Sequence, residues 1–213
     1  FLNMKKKASH SIKADNASWT FDNDVWKNFD KHINNSIPLY SLCHKLGLEI
    51  SDFFLEKNSK VIDLGCSTGT FISKLNERHH NKHLKIKGYD AIKKMTLTAR
   101  KNNKNIKNIK FLNKDIVKNK LPNNIDLITS FFTITFIKPS QRQVVFNKIF
   151  KSLNWGGAVI FFDKVRAPDA RFQDIMTQVY TNFKLDRNFS PEEIINKSNS
   201  LKGVLEPYST NEN

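Results

Sequence analysis

Lys60-Val61-Ile62-Asp63-Leu64-Gly65-Cys66-Ser67-Thr68-Gly69 is the stretch on which the reading of the fold turns. Lys60 to Leu64 is a short run of buried-strand type, and Gly65 and Gly69 lie in the loop that ends it. Phe71 to Arg78 then carries the spacing of a helix. Glycine has no Cβ, so a loop built on it turns tightly and lets the backbone approach a ligand closely. A strand, such a loop and a helix together hold a nucleoside-containing ligand at the carboxyl end of a sheet strand. The loop is neither G-x-G-x-x-G nor G-K-[ST], and it has no lysine to meet a phosphate. It suits a ligand without one.

Outward from this loop, strands and helices alternate. Strands are expected at Leu84 to Asp90, Ile109 to Asp115, Ile125 to Phe132 and Ala158 to Phe162. Helices are expected at Ile92 to Asn102 and at Pro139 to Leu153, with Gly156-Gly157 as punctuation before the last strand. Strands separated by helical patterns imply βαβ units and a mostly parallel, twisted sheet with helices on both faces. Upstream, Phe21, Val25, Phe29 and Ile33 mark a helix stripe to about Asn34. Pro38 breaks it, and a second helix runs from about Ser41 to Glu56 as a cap before the first strand. Downstream, 168–182 reads as helical, and Ser190-Pro191-Glu192-Glu193 as a capped helix start. Residues 1–17 read as a mobile basic arm. Residues 18–213 read as one domain, with a helical cap at 18–57, an α/β core at 58–165 and a helical C-terminal part at 166–213.

The candidate site collects residues at the ends of these strands. Asp63 opens the loop, and Gly65, Cys66, Ser67 and Gly69 form it. Asp90, followed by Ala91, ends the second strand, where a carboxylate accepts ribose hydroxyls. The same residue also reads as an N-cap, and the two roles are compatible. Asp115 and Ile116 stand where an adenine edge is bonded and its face covered. Cys66 reads as a small packing residue, with no base paired to it in sequence. His79, His80 and His83 read as solvated loop residues, and no metal site is expected.

Composition narrows the field. The 213 residues carry 35 Lys and Arg against 20 Asp and Glu, a net charge of +15. That charge invites a nucleic-acid partner, but the lysines are scattered. The dense run from Lys101 to Lys120 has no aromatic interleaving apart from Phe111 at its centre and no arginine for stacking. A solvated basic surface is favoured. Two cysteines, Cys43 and Cys66, make no CxxC pair, no stretch approaches the ~20 apolar residues of a membrane span, and the start does not read as a signal peptide. A cytoplasmic protein with reduced thiols is expected, with no membrane association.

Three acids ending successive strands, with Asp63-x-Gly65-x-Ser67-x-Gly69 first, resemble the class I methyltransferases that use S-adenosylmethionine (SAM). The resemblance implies a Rossmann-like fold with SAM, S-adenosylhomocysteine or carboxy-SAM as cofactor. It places Gly65 to Ser67 on the methionine part, Asp90 on the ribose and Asp115 on the adenine. Further segments are similar to the carboxy-SAM synthases: Trp19-Thr20-Phe21-Asp22, Ser36-Ile37-Pro38-Leu39-Tyr40-Ser41, Phe132-Thr133-Ile134-Thr135-Phe136-Ile137-Lys138-Pro139-Ser140-Gln141-Arg142-Gln143 and Leu153-Asn154-Trp155-Gly156-Gly157-Ala158. So are Asn182-Phe183-Lys184 and Phe189-Ser190. Members of that family move a carboxyl group from prephenate to the methyl carbon of SAM, for modification of the tRNA wobble uridine.

By the same resemblance Tyr40 reaches into the cofactor pocket, or else serves as a core tyrosine after a proline turn. The family has an asparagine near the sulfonium where this chain has Phe131. It has an arginine for the added carboxylate where this chain has Ser198, with Lys197 beside it as the available cation. Tyr40, Phe131 and Lys197 are therefore the candidates for the chemistry. The family's final strand pair is missing from the sequence pattern. Three functional readings follow in order: a carboxy-SAM synthase-like enzyme, a methyltransferase acting on a small acceptor, and a non-catalytic SAM-binding or RNA-associated protein. A small-molecule substrate and a homodimer are the partner readings, with direct nucleic-acid binding not favoured.

Overall fold

The computed structural model describes Ala17 and residues 29–212. The Trp19 to Asp22 segment, the arm before Ala17 and the first turns of the helix expected from Phe21 lie outside the described residues. Those described fall into two compact units, one within Phe21–Lys164 and one within Val165–Asn213 together with Ala17.

The larger unit opens on α1 (Phe29–Ser36) and α2 (Tyr40–Ser51). Leu39 between them takes a left-handed backbone, φ 61, so the chain turns directly into Tyr40. The sequence pattern ran α2 on to Glu56, but the helix stops at Ser51. Asp52, Phe53 and Phe54 donate instead to the carbonyls three residues back, Glu49, Ile50 and Ser51, which tightens the last turn. The Ser51 hydroxyl also bonds back to Leu48 O at 2.6 Å, and such bonds compete with the helix ladder.

Then follow β1 (Lys60–Leu64), α3 (Thr70–Arg78), β2 (Lys85–Asp90), α4 (Lys93–Asn102), β3 (Ile109–Asn113), β4 (Ile125–Phe131), α5 (Pro139–Ser152) and β5 (Leu153–Phe162). The sheet is wholly parallel, in the order β3-β2-β1-β4-β5. The order reverses direction at β1, so a crevice opens at the carboxyl ends of β1 and β4. The fold is the expected Rossmann-like one. Alternation puts Val61 and Leu127 in a core shared with Phe71, Ile72 and Leu75 of α3. Ile62, Leu64 and Ile128 pack on the other face with Val145 and Ile149 of α5.

One strand differs from expectation. β5 begins at Leu153, not Ala158, and runs through Gly156-Gly157. The ladder pairs Ile125 with Leu153 but Leu127 with Ala158, so the extra residues bulge out. Gly156 adopts φ +76, a conformation glycine takes without strain. No strand follows β5 among the described residues.

His79 also departs from expectation. It is 3% exposed, and its Nε2 lies 2.8 Å from Ser51 Oγ. The Ser51 proton is committed to Leu48 O, so His79 donates here, from a neutral ring that burial keeps below its ordinary pKa. Arg78 forks onto Asp52 beside it, Nε to Oδ1 at 2.7 Å and Nη2 to Oδ2 at 2.5 Å. The loop is charged in sequence, but this side chain ties the end of α3 to the end of α2. His79→Ala leaves a ring-sized void and removes a buried bond, and should cost about 2 kcal/mol. Urea unfolding should show a lower midpoint at unchanged slope.

The smaller unit carries α6 (Ala170–Asp186) and α7 (Pro191–Leu201). The α7 start is a capping box: Ser190 Oγ accepts from Glu193 N at 3.1 Å, and the Glu193 carboxylate accepts from Ser190 N at 2.7 Å. Among the described residues no helix is long and apolar enough to cross a membrane.

Candidate active site

The loop after β1 is held by its neighbours before any ligand is considered. Gly65 N and Cys66 N both donate to Tyr89 O, at 2.8 and 3.0 Å. Gly65 takes φ +76, and a Cβ there would stand 2.1 Å from Thr133 Oγ1. Gly69 takes φ +82, and a Cβ there would stand 2.7 Å from the Phe111 ring. Both glycines are required by conformation and by space. Ser67 adopts φ 47, a conformation that costs a non-glycine residue roughly 1–2 kcal/mol. Its N–H donates to Asp90 Oδ2 at 2.9 Å.

Asp90 also accepts from Ile92 N at 2.8 Å through Oδ1. It therefore braces the loop and starts the chain toward α4 while each oxygen keeps a lone pair for a ligand. Burial raises its pKa against these two bonds. Asp63 is 3% exposed and accepts from Thr129 Oγ1 at 2.7 Å. Burial, helped by the Asp90 charge, pushes its carboxyl up to about 7. Cys66 packs its sulfur against Gly88, where a Cβ would stand 2.8 Å away. Burial and the two carboxylates raise the thiol well above its usual range, so it stays protonated and unreactive.

β3 ends at Asn113, two residues short of Asp115. Asn113 Nδ2 donates to the carbonyls of Asp90 and Ala91 at 2.9 and 2.8 Å, which joins this end of β3 to that of β2. Asp115 Oδ1 accepts from Val117 N at 2.8 Å, and Ile116 is buried. Lys148 of α5 donates to the carbonyls of Ile116, Val117 and Asn119. The segment that carries Asp115 and Ile116 is thus fixed from below.

The cap contributes from the other side. Tyr40 lies with its ring 4.4 Å from that of His44 and 5.6 Å from that of Phe132. Burial and the charges of Asp30 and Asp63 raise its phenol, which remains a donor. Phe131 is part of an aromatic cluster: its ring is 4.4 Å from Phe71, 4.6 Å edge-on from His44 and 5.5 Å from a stacked Phe162. A Cβ on Gly47 of α2 would stand 2.7 Å from that ring. His44 is held neutral, its pKa lowered to about 4 by burial and by Lys74.

The structure therefore gathers Tyr40, Asp63, the Gly65–Gly69 loop, Asp90, Ala91, Asp115, Ile116 and Phe131 in one unit, at the carboxyl end of the sheet. Lys197 and Ser198 belong to α7 of the smaller unit. There burial and Lys184 lower the Lys197 pKa to about 7. The sequence reading missed Asp30, Thr68, Thr129 and Thr133. Asp63 and Thr129 are 66 residues apart, and only their register on β1 and β4 brings them together.

Residues 55–206 match the model of a methyltransferase domain family. The carboxy-S-adenosyl-L-methionine synthase of Staphylococcus epidermidis is 35% identical over 199 residues, 92% of this chain and 85% of that protein. The synthase of Campylobacter lari is 32% identical over 194 residues, 91% of this chain and 82% of that protein. This chain belongs to the carboxy-SAM synthase family.

Solved structures agree on the fold. One described as a SAM-dependent methyltransferase from Methanococcus maripaludis matches with a TM-score of 0.58 at 21% identity, over 88% of this chain and 86% of that one. A Haemonchus contortus phosphoethanolamine N-methyltransferase with bound S-adenosylhomocysteine matches with a TM-score of 0.51 at 16% identity, over 68% of this chain and 33% of that one. The family member described here is a SAM-dependent transferase, and its cofactor is SAM. The residues present fit that cofactor. SAM carries an ammonium, a sulfonium and ribose hydroxyls but no phosphate, and the loop region offers the carboxylates of Asp63, Asp90 and Asp115 with no lysine or arginine in the loop.

Proposed function

We propose that this chain transfers a carboxyl group from prephenate to the methyl carbon of SAM, and that the carboxy-SAM formed serves tRNA wobble-uridine modification. The support is kinship over most of both chains with several synthases of that name, joined to a glycine loop that has acidic neighbours and no lysine or arginine. Bound SAM would supply a sulfonium whose charge acidifies the adjacent methyl C–H, so that the carbon gives up a proton as it gains the carboxyl group.

The chain's own residues bind and orient. Asp90 takes the ribose hydroxyls, Asp115 and Ile116 the adenine, and Gly65, Cys66 and Ser67 the methionine part. Asp63 faces the cationic end, where an ionised carboxylate is stabilised by the ligand's charge. Tyr40 offers a hydroxyl donor from the cap. Lys197 is the cation that the sequence puts forward for the added carboxylate. Reduced thiols and the inert Cys66 suit work in the cytoplasm, and the same reading includes assembly as a homodimer.

A second reading, methyl transfer to a small acceptor, is favoured by one observation. Phe131 fills its place with an apolar ring locked among Phe71, His44 and Phe162, so no side-chain amide stands there. Purified protein incubated with SAM and prephenate should form carboxy-SAM, read by mass spectrometry. SAM binding with no carboxy-SAM, and S-adenosylhomocysteine released only with an added acceptor, would overturn the first reading in favour of the second.

A further inference from the structure

The glycine loop is pinned by a second carboxylate, and this one comes from the cap. Asp30 of α1 accepts from Thr68 Oγ1 through both oxygens at 3.0 Å, and from Thr70 Oγ1 through Oδ1 at 2.8 Å. The two threonine hydroxyls are themselves 3.3 Å apart. They flank Gly69, the N-cap of α3, so the carboxylate sits at the positive end of that helix. Among the described residues no lysine or arginine pairs with Asp30, and its bonds to side chains of the core go to these two hydroxyls. Asp90 meanwhile holds Ser67 from the β2 side. The loop is therefore gripped on opposite sides, by Asp90 from the sheet and by Asp30 from the cap.

The cap's other contribution is Tyr40, whose phenol feels the charges of both Asp30 and Asp63. One carboxylate thus touches the loop directly and neighbours the tyrosine that reaches toward the pocket. An apolar contact would dock α1 as well, but it would fix no particular loop geometry. Two charge-assisted hydroxyl bonds are directional and do.

We propose that Asp30 is a positioning residue for the cofactor: it latches the α1–α2 cap to Thr68 and Thr70, so that the loop's shape and the placement of Tyr40 are set together. The inference rests on the reading that the Gly65–Gly69 loop holds SAM. Asp30 does not touch the reacting atoms. It acts through the two threonines.

The test measures SAM affinity by calorimetry, with the melting temperature of the ligand-free protein recorded for each variant. Asp30→Ala should weaken SAM about tenfold with little change in the ligand-free melting temperature. Asp30→Asn keeps an accepting oxygen and should stay within about threefold of the parent. Thr68→Val/Thr70→Val should reproduce the Asp30→Ala loss. Adding Asp30→Ala to that pair should cost nothing more, since one latch cannot be broken twice. If Thr68→Val disturbs folding, Thr70→Val alone serves, with a smaller loss that is again not additive.

Unchanged affinity in Asp30→Ala, full additivity with the threonine changes, or a lowered melting temperature at constant affinity would each overturn the proposal. Asp90→Ala separates the two levels. If it leaves SAM binding intact, the loop reading itself fails. If it weakens binding while Asp30→Ala does not, only the latch fails.

Discussion

Asp63→Asn should gain stability relative to the parent as pH rises, by on the order of 4 kcal/mol between pH 4 and pH 8, starting below the parent at pH 4. Asp63 is fully inside, and its carboxyl sits at about 7 in the folded state against 3.8 when free. Below 3.8 the group is neutral in both states and contributes no penalty. Between 3.8 and 7 the unfolded chain releases the proton while the native state keeps it, so stability falls as pH rises. Above 7 both forms are ionised and the full cost is present. Asparagine cannot ionise, and its amide oxygen still accepts from Thr129 Oγ1, which now stands 2.7 Å from the carboxylate. Its buried amide adds a constant offset of about 1–3 kcal/mol, which no pH change alters. Melting temperatures of the two proteins, taken in parallel from pH 4 to pH 8, should therefore diverge by roughly 10 °C. A constant gap would show that Asp63 is not the titrating group. On the proposed placement of the cofactor, in which the Asp63 carboxylate meets its cationic end, the same variant should also bind SAM more weakly.

The strand, loop and helix from Lys60 to Arg78 were legible because local periodicity and local glycines specify them. Asp90, the last residue of β2, and Asp63, one residue before the end of β1, were legible for the same reason, since both strand patterns are short-range. Asp115 was placed on a strand and proved to lie just beyond one. The β-pattern of Ile109 to Asn113 ends when Asn113 turns its side chain to the carbonyls of Asp90 and Ala91, and nothing local announces that. Gly156-Gly157 reads as a turn, yet the glycines sit in a bulge that only pairing with β4 defines. Asp30 reaches Thr68 across 38 residues, and a lone acid beside a helix stripe gives no sign of such a partner. His79 misled in the opposite direction. Its neighbours in sequence are charged, but α2 buries it. Tyr40 was left between a pocket and a core role; the structure packs it on His44 and puts it within reach of the charges of Asp30 and Asp63.

Asp90→Ala should weaken SAM by at least a hundredfold, the largest loss of affinity expected from one side chain here. The substitution removes the acceptor for Ser67 N and Ile92 N together. Ser67 then has no bond to hold its left-handed backbone, φ 47, and the loop relaxes toward conformations that no longer match the ligand. On the proposed assignment the ribose hydroxyls lose their charged acceptor as well. Bonds to a charged group contribute about 1.5–3 kcal/mol each, so two lost at the ligand already account for two orders of magnitude or more. Asp90→Asn, which keeps one accepting oxygen, should fall between the parent and Asp90→Ala. Calorimetric titration decides the matter, and affinity within tenfold of the parent in Asp90→Ala would remove Asp90 from the binding site. A second consequence ties this variant to the first prediction. The Asp90 charge helps hold the Asp63 proton on, so without it Asp63 ionises at lower pH. The fall in stability with pH should then be smaller in Asp90→Ala and should finish earlier.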